Sequence, residues 1–216
     1  MNEREFWRLI GRAHRDRRRH ATARDELRRR CRLSDSRETL THLGRLLEEL
    51  PMTELIRFHQ HIERLHRQAY RWPMWTAFGL ALAGADRAAV RDGICWLILS
   101  GRRRFRQVLA EPDALGSHQV EAAEVADAAE LATIAARILM PDSGPGTGGP
   151  AGLFELDCYE EPPPDDGLPE NFEALRRRFP RLAARHLPSG ADAPDGPLVI
   201  LPAQWCPDLD QTGVPR

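Results

Sequence analysis

A chain that carries Trp72-Pro73-Met74-Trp75 into an almost entirely apolar run ending near Ala83, and a second apolar run at Trp96-Leu97-Ile98-Leu99, has few folds open to it. A helix with no polar face must be surrounded by protein on most sides, so these two segments define the centre of a helical core. Three of the five tryptophans, Trp72, Trp75 and Trp96, fall in this region. Trp75 and Trp96 follow apolar helical positions and are expected in the core, with a ligand pocket as the alternative. Pro73 suits a first helical position, and Gly84 is placed to close the helix in the left-handed conformation.

The flanking sequence supplies amphipathic partners for this centre. Asn2 and Glu5 form a capping-box-like start for a helix with Phe6, Leu9, Ile10 and Ala13 on one face. The continuation through His14 to His20 and on to Arg28-Arg29-Arg30 reads as a solvated helix or a connector. Asp35 and Glu38 signal a second start, ahead of a Leu40, Leu43, Leu47, Leu50 stripe that ends before Pro51. Thr53 is the expected N-cap of a helix with Leu55, Phe58, Ile62, Leu65 and Ala69 on one face. Asp86 caps a helix containing Val90, Ile94 and Trp96, which ends or kinks near Gly101. Phe105, Val108 and Leu109 continue a short basic helix, and Pro112-Asp113 marks a turn. His118 to Met140 reads as one alanine-rich helix.

Pro141 to Gly152 is a linker by its density of glycine and proline. The expected organisation is an all-α, bundle-like core of about six to seven helices over residues 1–140, followed by the linker 141–152. An acidic extension at 153–187 carries a short helix from Asn171 to Leu187, and a loose tail occupies 188–216. A chain of 216 residues buries roughly 70% of its unfolded surface, enough for one sizeable core.

Charge is divided unevenly along this organisation. Residues 1–110 hold 24 arginines against 13 acids, a balance of +11, and residues 111–216 hold 7 against 19, a balance of −12. All 31 basic residues are arginine, which together with the many Ala, Gly and Pro residues reflects base composition, so arginine content alone is not evidence for phosphate binding. Two readings follow from the split. The acidic half folds back on the basic half, or a basic face is kept for an anionic partner attracted over a Debye length of about 8–10 Å.

Phe6-Trp7-x-Leu-Ile, the Leu55 to Tyr70 helix, Trp75, Trp96-Leu97-Ile98 before Gly101, and Pro112-Asp113-Ala114-Leu115 together resemble a bacterial family of uncharacterised domains, domain-of-unknown-function family 4240. The resemblance covers roughly residues 2–140, and Arg178-Phe179-Pro180-Arg181-Leu182 is similar to a terminal stretch that many members carry. It implies a helical, cytoplasmic bacterial protein and no established activity. Members tend to be more acidic where this chain has Gly84 to Ala89, and aromatic or acidic where it has Arg91-Asp92-Gly93.

Specific chemistry is weakly signalled. His59, Glu63 and His66 include the Glu-x-x-His spacing of di-iron bundles, but such sites need two such motifs and further glutamates. These three residues are expected toward the polar side of their helix, with Glu63 paired to Arg67. His42, four residues after Glu38, is a weaker signal still. Cys31, Cys95, Cys158 and Cys206 are too far apart for a zinc knuckle or a small disulfide scaffold. No nucleophile elbow is present, and Ser100-Gly101 reads as a helix terminus. The glycines at 144, 146, 148 and 149 lack the Gly-Lys-Ser/Thr ending of a phosphate loop. Glu160, Glu161, Asp165 and Asp166 lack calcium-loop spacing.

The expectation is therefore a protein-interaction or regulatory module without a cofactor or membrane anchor, located in the cytoplasm because no apolar signal segment or membrane-length run is present. Its binding residues are Arg15, Arg18, Arg19, Arg28, Arg29 and Arg30, and the acidic tail Glu155 to Asp166 docks on Arg12 to Arg32. Nucleic-acid binding by that arginine stretch is an alternative. About six phosphate contacts would give a log-log salt slope of about −5, although aromatic residues are missing between Trp7 and Phe58. An enzyme with an unrecognised, possibly metal-dependent site around His59, Glu63 and His66 is the other.

Overall fold

The computed structural model describes residues 1–21, 34–140 and 172–187, and these are all-α. Among the described residues eight α-helices lie between residues 3 and 139: α1 (Glu3–Ala21), α2 (Asp35–Glu48), α3 (Met52–Ala69), α4 (Trp72–Ala81), α5 (Arg87–Leu99), α6 (Arg102–Ala110), α7 (Ala122–Ala128) and α8 (Ile134–Leu139). Short 3₁₀ helices occupy Pro112–Ser117 and Ala129–Ala132, and α9 (Phe172–Arg178) and α10 (Pro180–His186) follow.

The two apolar runs are the centre of the molecule. Every residue of α4 except Pro73 is buried, and α5 is buried from Gly93 to Leu99. Around this pair, α1 packs on α2, α3 packs on α5, and α7 with the following 3₁₀ turn covers α5 from the other side. Burying side chains of the size of Trp75, Phe78 and Phe6, all at 0% exposure, contributes about 2–3 kcal/mol apiece. The α4–α5 contact depends on a missing side chain. A Cβ on Gly93 would lie 2.6 Å from Cε1 of Phe78, so only glycine lets the two helices approach this closely.

Several local signals act as the sequence implies. Asn2 and Glu5 exchange reciprocal bonds, with the Asn2 N–H donating to Glu5 Oε2 at 2.7 Å and the Glu5 N–H donating to Asn2 Oδ1 at 3.0 Å. Asp86 Oδ1 accepts from the Ala89 N–H at 2.8 Å. At the end of α2, Leu50 precedes Pro51.

The stretch from His14 is helical as far as Ala21, as the first of its two readings has it, and its continuation to Arg28-Arg29-Arg30 lies outside the described residues. Other details differ, each for a physical reason. Thr53 is not the N-cap of α3. The helix begins at Met52 with extended Pro51 in the cap position, where a residue lacking an N–H costs nothing. Gly84 does take a positive φ, at 112°, but the left-handed turn after α4 begins one residue earlier, at Ala83 with φ 56°, and the Gly84 N–H closes a six-residue turn on the Gly79 carbonyl at 2.7 Å. The single helix expected over 118–140 is broken into α7, a 3₁₀ turn and α8, and residues 118–121 precede them without helical structure. The short helix expected near the end is two, divided at Phe179-Pro180 because proline cannot donate to continue α9.

These last two helices are part of the core. Leu175, Phe179 and Leu182 join the same buried cluster as Trp75 and Phe105. Their attachment is polar at its centre: Asp113, 5% exposed, accepts from the Arg181 N–H at 3.0 and 3.1 Å and from the Leu182 N–H at 3.0 Å. A carboxylate 68 residues upstream thus satisfies the orphan amides at the start of α10. Gly116 completes the joint, since a Cβ there would come within 2.8 Å of the Leu182 backbone nitrogen.

Gly93→Ala is expected to destabilise the fold by about 1–3 kcal/mol through overpacking, although alanine is the better helix former; thermal unfolding checks this, and a raised melting temperature contradicts it. Asp113→Ala is expected to cost about 2–3 kcal/mol by leaving buried amides unsatisfied. Urea unfolding together with faster proteolysis within 172–187 is the measurement.

Candidate functional site

Among the described residues a polar cleft of about 670 Å³ opens beside α1. It is walled by α1, the first turns of α2, the end of α5, the start of α6 and residues 119–124. Its floor forms where α5 stops. Gly101, at φ +100°, turns the chain in a conformation that favours glycine, so the first turn of α6 swings back over the end of α5. Arg104 is thereby held with its guanidinium carbon 5.6 Å from the centroid of the Trp96 ring, and its Nη1 donates to Ser100 Oγ at 3.3 Å. Ser100 Oγ donates in turn to the Trp96 carbonyl at 2.8 Å.

His14 directly follows Ala13 of the buried stripe of α1 and joins this helix to the floor. Its Nε2 lies 2.7 Å from the Leu99 carbonyl, one of the unsatisfied acceptors at the end of α5, so Nε2 carries the hydrogen. Burial lowers its pKa below the ordinary histidine value; the carbonyl bond opposes this, and the guanidiniums of Arg17, Arg18 and Arg104 reinforce it. His14 is accordingly neutral at physiological pH.

The carboxylates of the cleft are already engaged. Asp35 pairs with Arg17. Glu124 accepts from the Asp35 and Ser36 N–H groups at 2.7 and 2.8 Å and so caps α2 from across the cleft. Glu121 accepts from Gln119 Nε2 at 2.6 Å. Beside the cleft, Ser34 Oγ donates to Asp127 Oδ2 at 2.5 Å. Arg15, Arg18 and Arg104 line the same space, and among the described residues none of the three is paired with a carboxylate.

Of the arginines expected to bind, Arg15 and Arg18 are therefore exposed at the cleft, and Arg19 is exposed further along the same helix. Arg28, Arg29 and Arg30 lie outside the described residues, as does the acidic stretch Glu155 to Asp166. Sequence reasoning missed His14, Trp96, Ser100 and Arg104 as a unit. The only local signal was a basic turn directly after Gly101.

His59 and His66 require a correction. They do not face the polar side of α3 but are buried, at 1% and 3% exposure. They complete the broad stripe Leu55, Phe58, Ile62, Leu65 and Ala69 at the i+4 positions, which widens the buried face beyond the residues first assigned to it. Glu63 Oε1 lies 3.7 Å from His59 Nε2, beyond hydrogen-bond distance, and burial lowers the His59 pKa, so the contact is not an ion pair at neutral pH. His66 is hydrogen-bonded to the Arg91 backbone and stacks on Tyr70, with ring centroids 6.1 Å apart. Among the described residues no group of three or more His, Cys, Asp or Glu side chains is placed to hold a metal ion. Cys95 is fully buried, and burial pushes its thiol up to about 12, which suppresses thiolate chemistry at neutral pH. Cys31, Cys158 and Cys206 lie outside the described residues.

Among the described residues no helix is long and apolar enough to cross a membrane. The family model described as a protein of unknown function, DUF4240, matches residues 1–139. No curated protein and no solved structure matches the chain.

Burial, aided by the nearby Arg91 charge, lowers the pKa of His66 to about 4. The unfolded chain takes up this proton near pH 6.5 and the folded chain only near pH 4, so the contribution is fully present above pH 6.5 and is lost as the pH falls through this window. The expected loss is about 3 kcal/mol. Urea unfolding between pH 7.5 and 4 should show it, and His66→Phe should flatten the slope.

Proposed function

The chain belongs to DUF4240, a family of proteins of unknown function, and within it we propose a protein-interaction module that engages acidic polypeptide through the arginine face of α1. One observation carries this reading. In a cleft where Asp35, Glu121 and Glu124 each have a donor, Arg15, Arg18 and Arg104 have no carboxylate among the described residues. Uncompensated guanidiniums in a partly enclosed space attract anions and gain from charge-assisted hydrogen bonds.

The lining also favours discrete carboxylates over a continuous polyanion. A nucleic-acid backbone laid along the cleft would bring phosphates against Asp35, Glu121 and Glu124. A polypeptide with acids separated by neutral residues can meet the arginines and avoid the carboxylates. The chain carries a segment in which Glu155, Asp157 and the pairs Glu160-Glu161 and Asp165-Asp166 are set apart by neutral residues: residues 153–166 read Leu-Phe-Glu-Leu-Asp-Cys-Tyr-Glu-Glu-Pro-Pro-Pro-Asp-Asp. An acidic partner protein would compete with this segment for the same face, which makes the tail the natural regulator of the interaction.

Deleting residues 141–216 would not test this cleanly, because it also removes Leu175, Phe179 and Leu182 from the core. The test keeps the full chain and replaces Glu155, Asp157, Glu160, Glu161, Asp165 and Asp166 by their amides. A labelled peptide of residues 153–166 is expected to bind this variant, as read by fluorescence anisotropy. Its affinity should fall about tenfold between 50 and 300 mM salt as the charges are screened. No binding at 50 mM salt, or binding insensitive to salt, contradicts the proposal.

A further inference from the structure

We propose that Arg104 is the anchor of this docking site and takes a carboxylate from the chain's own segment Glu155–Asp166. The inference rests on the acidic-docking reading above and assigns its innermost contact.

The three available arginines of the cleft are not equivalent. Arg15 and Arg18 are exposed on α1 and free to adopt many rotamers, so fixing either on a ligand costs side-chain entropy. Arg104 is already fixed. It is half-buried, its guanidinium carbon lies over the Trp96 ring 5.6 Å from the centroid, and Ser100 Oγ takes one of its five donors. An arginine stacked on an aromatic ring and oriented by one hydrogen bond presents its remaining N–H groups as a fork of the kind a carboxylate meets bidentately.

The electrostatics agree. Burial lowers the Arg104 pKa, as expected for a guanidinium removed from water with no carboxylate beside it. The groups facing it are a neutral His14, the cationic Arg15, Arg17 and Arg18, and the engaged acids Asp35, Glu121 and Glu124. An incoming carboxylate therefore finds its least competition at Arg104, while Arg15 and Arg18 attract the remaining acids of the segment from the rim.

Reach and composition suit the occupant. Fourteen residues separate Met140 at the end of the core from Glu155, about 45 Å when extended. Leu153, Phe154 and Leu156 provide apolar groups for the edges of Trp96 and Leu99, which also line the cleft.

The test uses the full chain with the six segment acids neutralised and the labelled 153–166 peptide as probe. Arg104→Gln is expected to weaken binding about tenfold or more, and Arg104→Lys, which keeps the charge and loses the fork, several-fold. Arg103→Gln, on the exposed side of α6, is expected to change it less than twofold. Each variant is first shown to melt at the parental temperature; if Arg104→Gln melts lower, the decision passes to Arg104→Lys. Parental affinity in the Arg104 variants, with loss in the Arg15→Gln/Arg18→Gln double variant, overturns the anchor and leaves acidic docking standing. Absence of peptide binding in the parent overturns both. A single-stranded oligonucleotide that displaces the peptide and binds more tightly through Arg104 overturns both in favour of a nucleic-acid surface.

Discussion

The close approach of α4 and α5 is the constraint on which the rest of the molecule depends. Gly93 lets the Phe78 ring lie where a β-carbon would otherwise be, and the two most apolar helices meet across that contact. Each of the other helices then needs only one apolar face, because it packs on a centre that is buried on both sides. This is why strongly charged elements such as α1 and α6 belong to a stable fold: Phe6, Trp7, Ile10 and Ala13 of α1, and Phe105 and Val108 of α6, point inward, and the arginines take the remaining surface.

That arrangement decides where the basic excess of the first half is satisfied. Near the start of α1 a single carboxylate, Glu3, lies 3.5, 3.8 and 3.1 Å from Arg64, Arg102 and Arg106, and accepts from the Trp7 indole at 3.3 Å. Burial opposes its ionisation and is the largest single influence, but the indole bond and the three guanidiniums together outweigh it and hold its pKa below the usual carboxylate value. Further along α1, Arg17 is matched by Asp35, and Arg15, Arg18 and Arg104 line the cleft beside that pair. The uneven distribution along the sequence is thus partly resolved within the first half itself.

Features governed by neighbouring residues could be read from the sequence, and features governed by distant ones could not. The Asn2–Glu5 capping box, the Asp86 cap and the burial of Trp75 and Trp96 each follow from a few adjacent positions. The cleft joins His14 to Leu99 and Asp35 to Glu124, pairs 85 and 89 residues apart, and no periodicity encodes such meetings. His59 and His66 were misplaced for a different reason. On a helix wheel histidine counts as polar, but burial lowers its pKa and the neutral imidazole packs with apolar neighbours, so the buried stripe of α3 extends further than its leucines.

The capping of α10 by Asp113 also bears on the order in which this molecule can be assembled. During synthesis the chain emerges from its N-terminus, so helices α1 to α8 are available to pack long before residues 180–182 leave the ribosome. Until then Asp113 has no amides to accept from, and the surface later covered by Leu175, Phe179 and Leu182 faces water. Closing a loop of this length costs only a few kcal/mol, because the penalty grows with the logarithm of the number of residues. The last step of folding is therefore delayed by translation more than opposed by entropy, and a nascent chain halted before residue 180 would present an incomplete, adhesive core to chaperones.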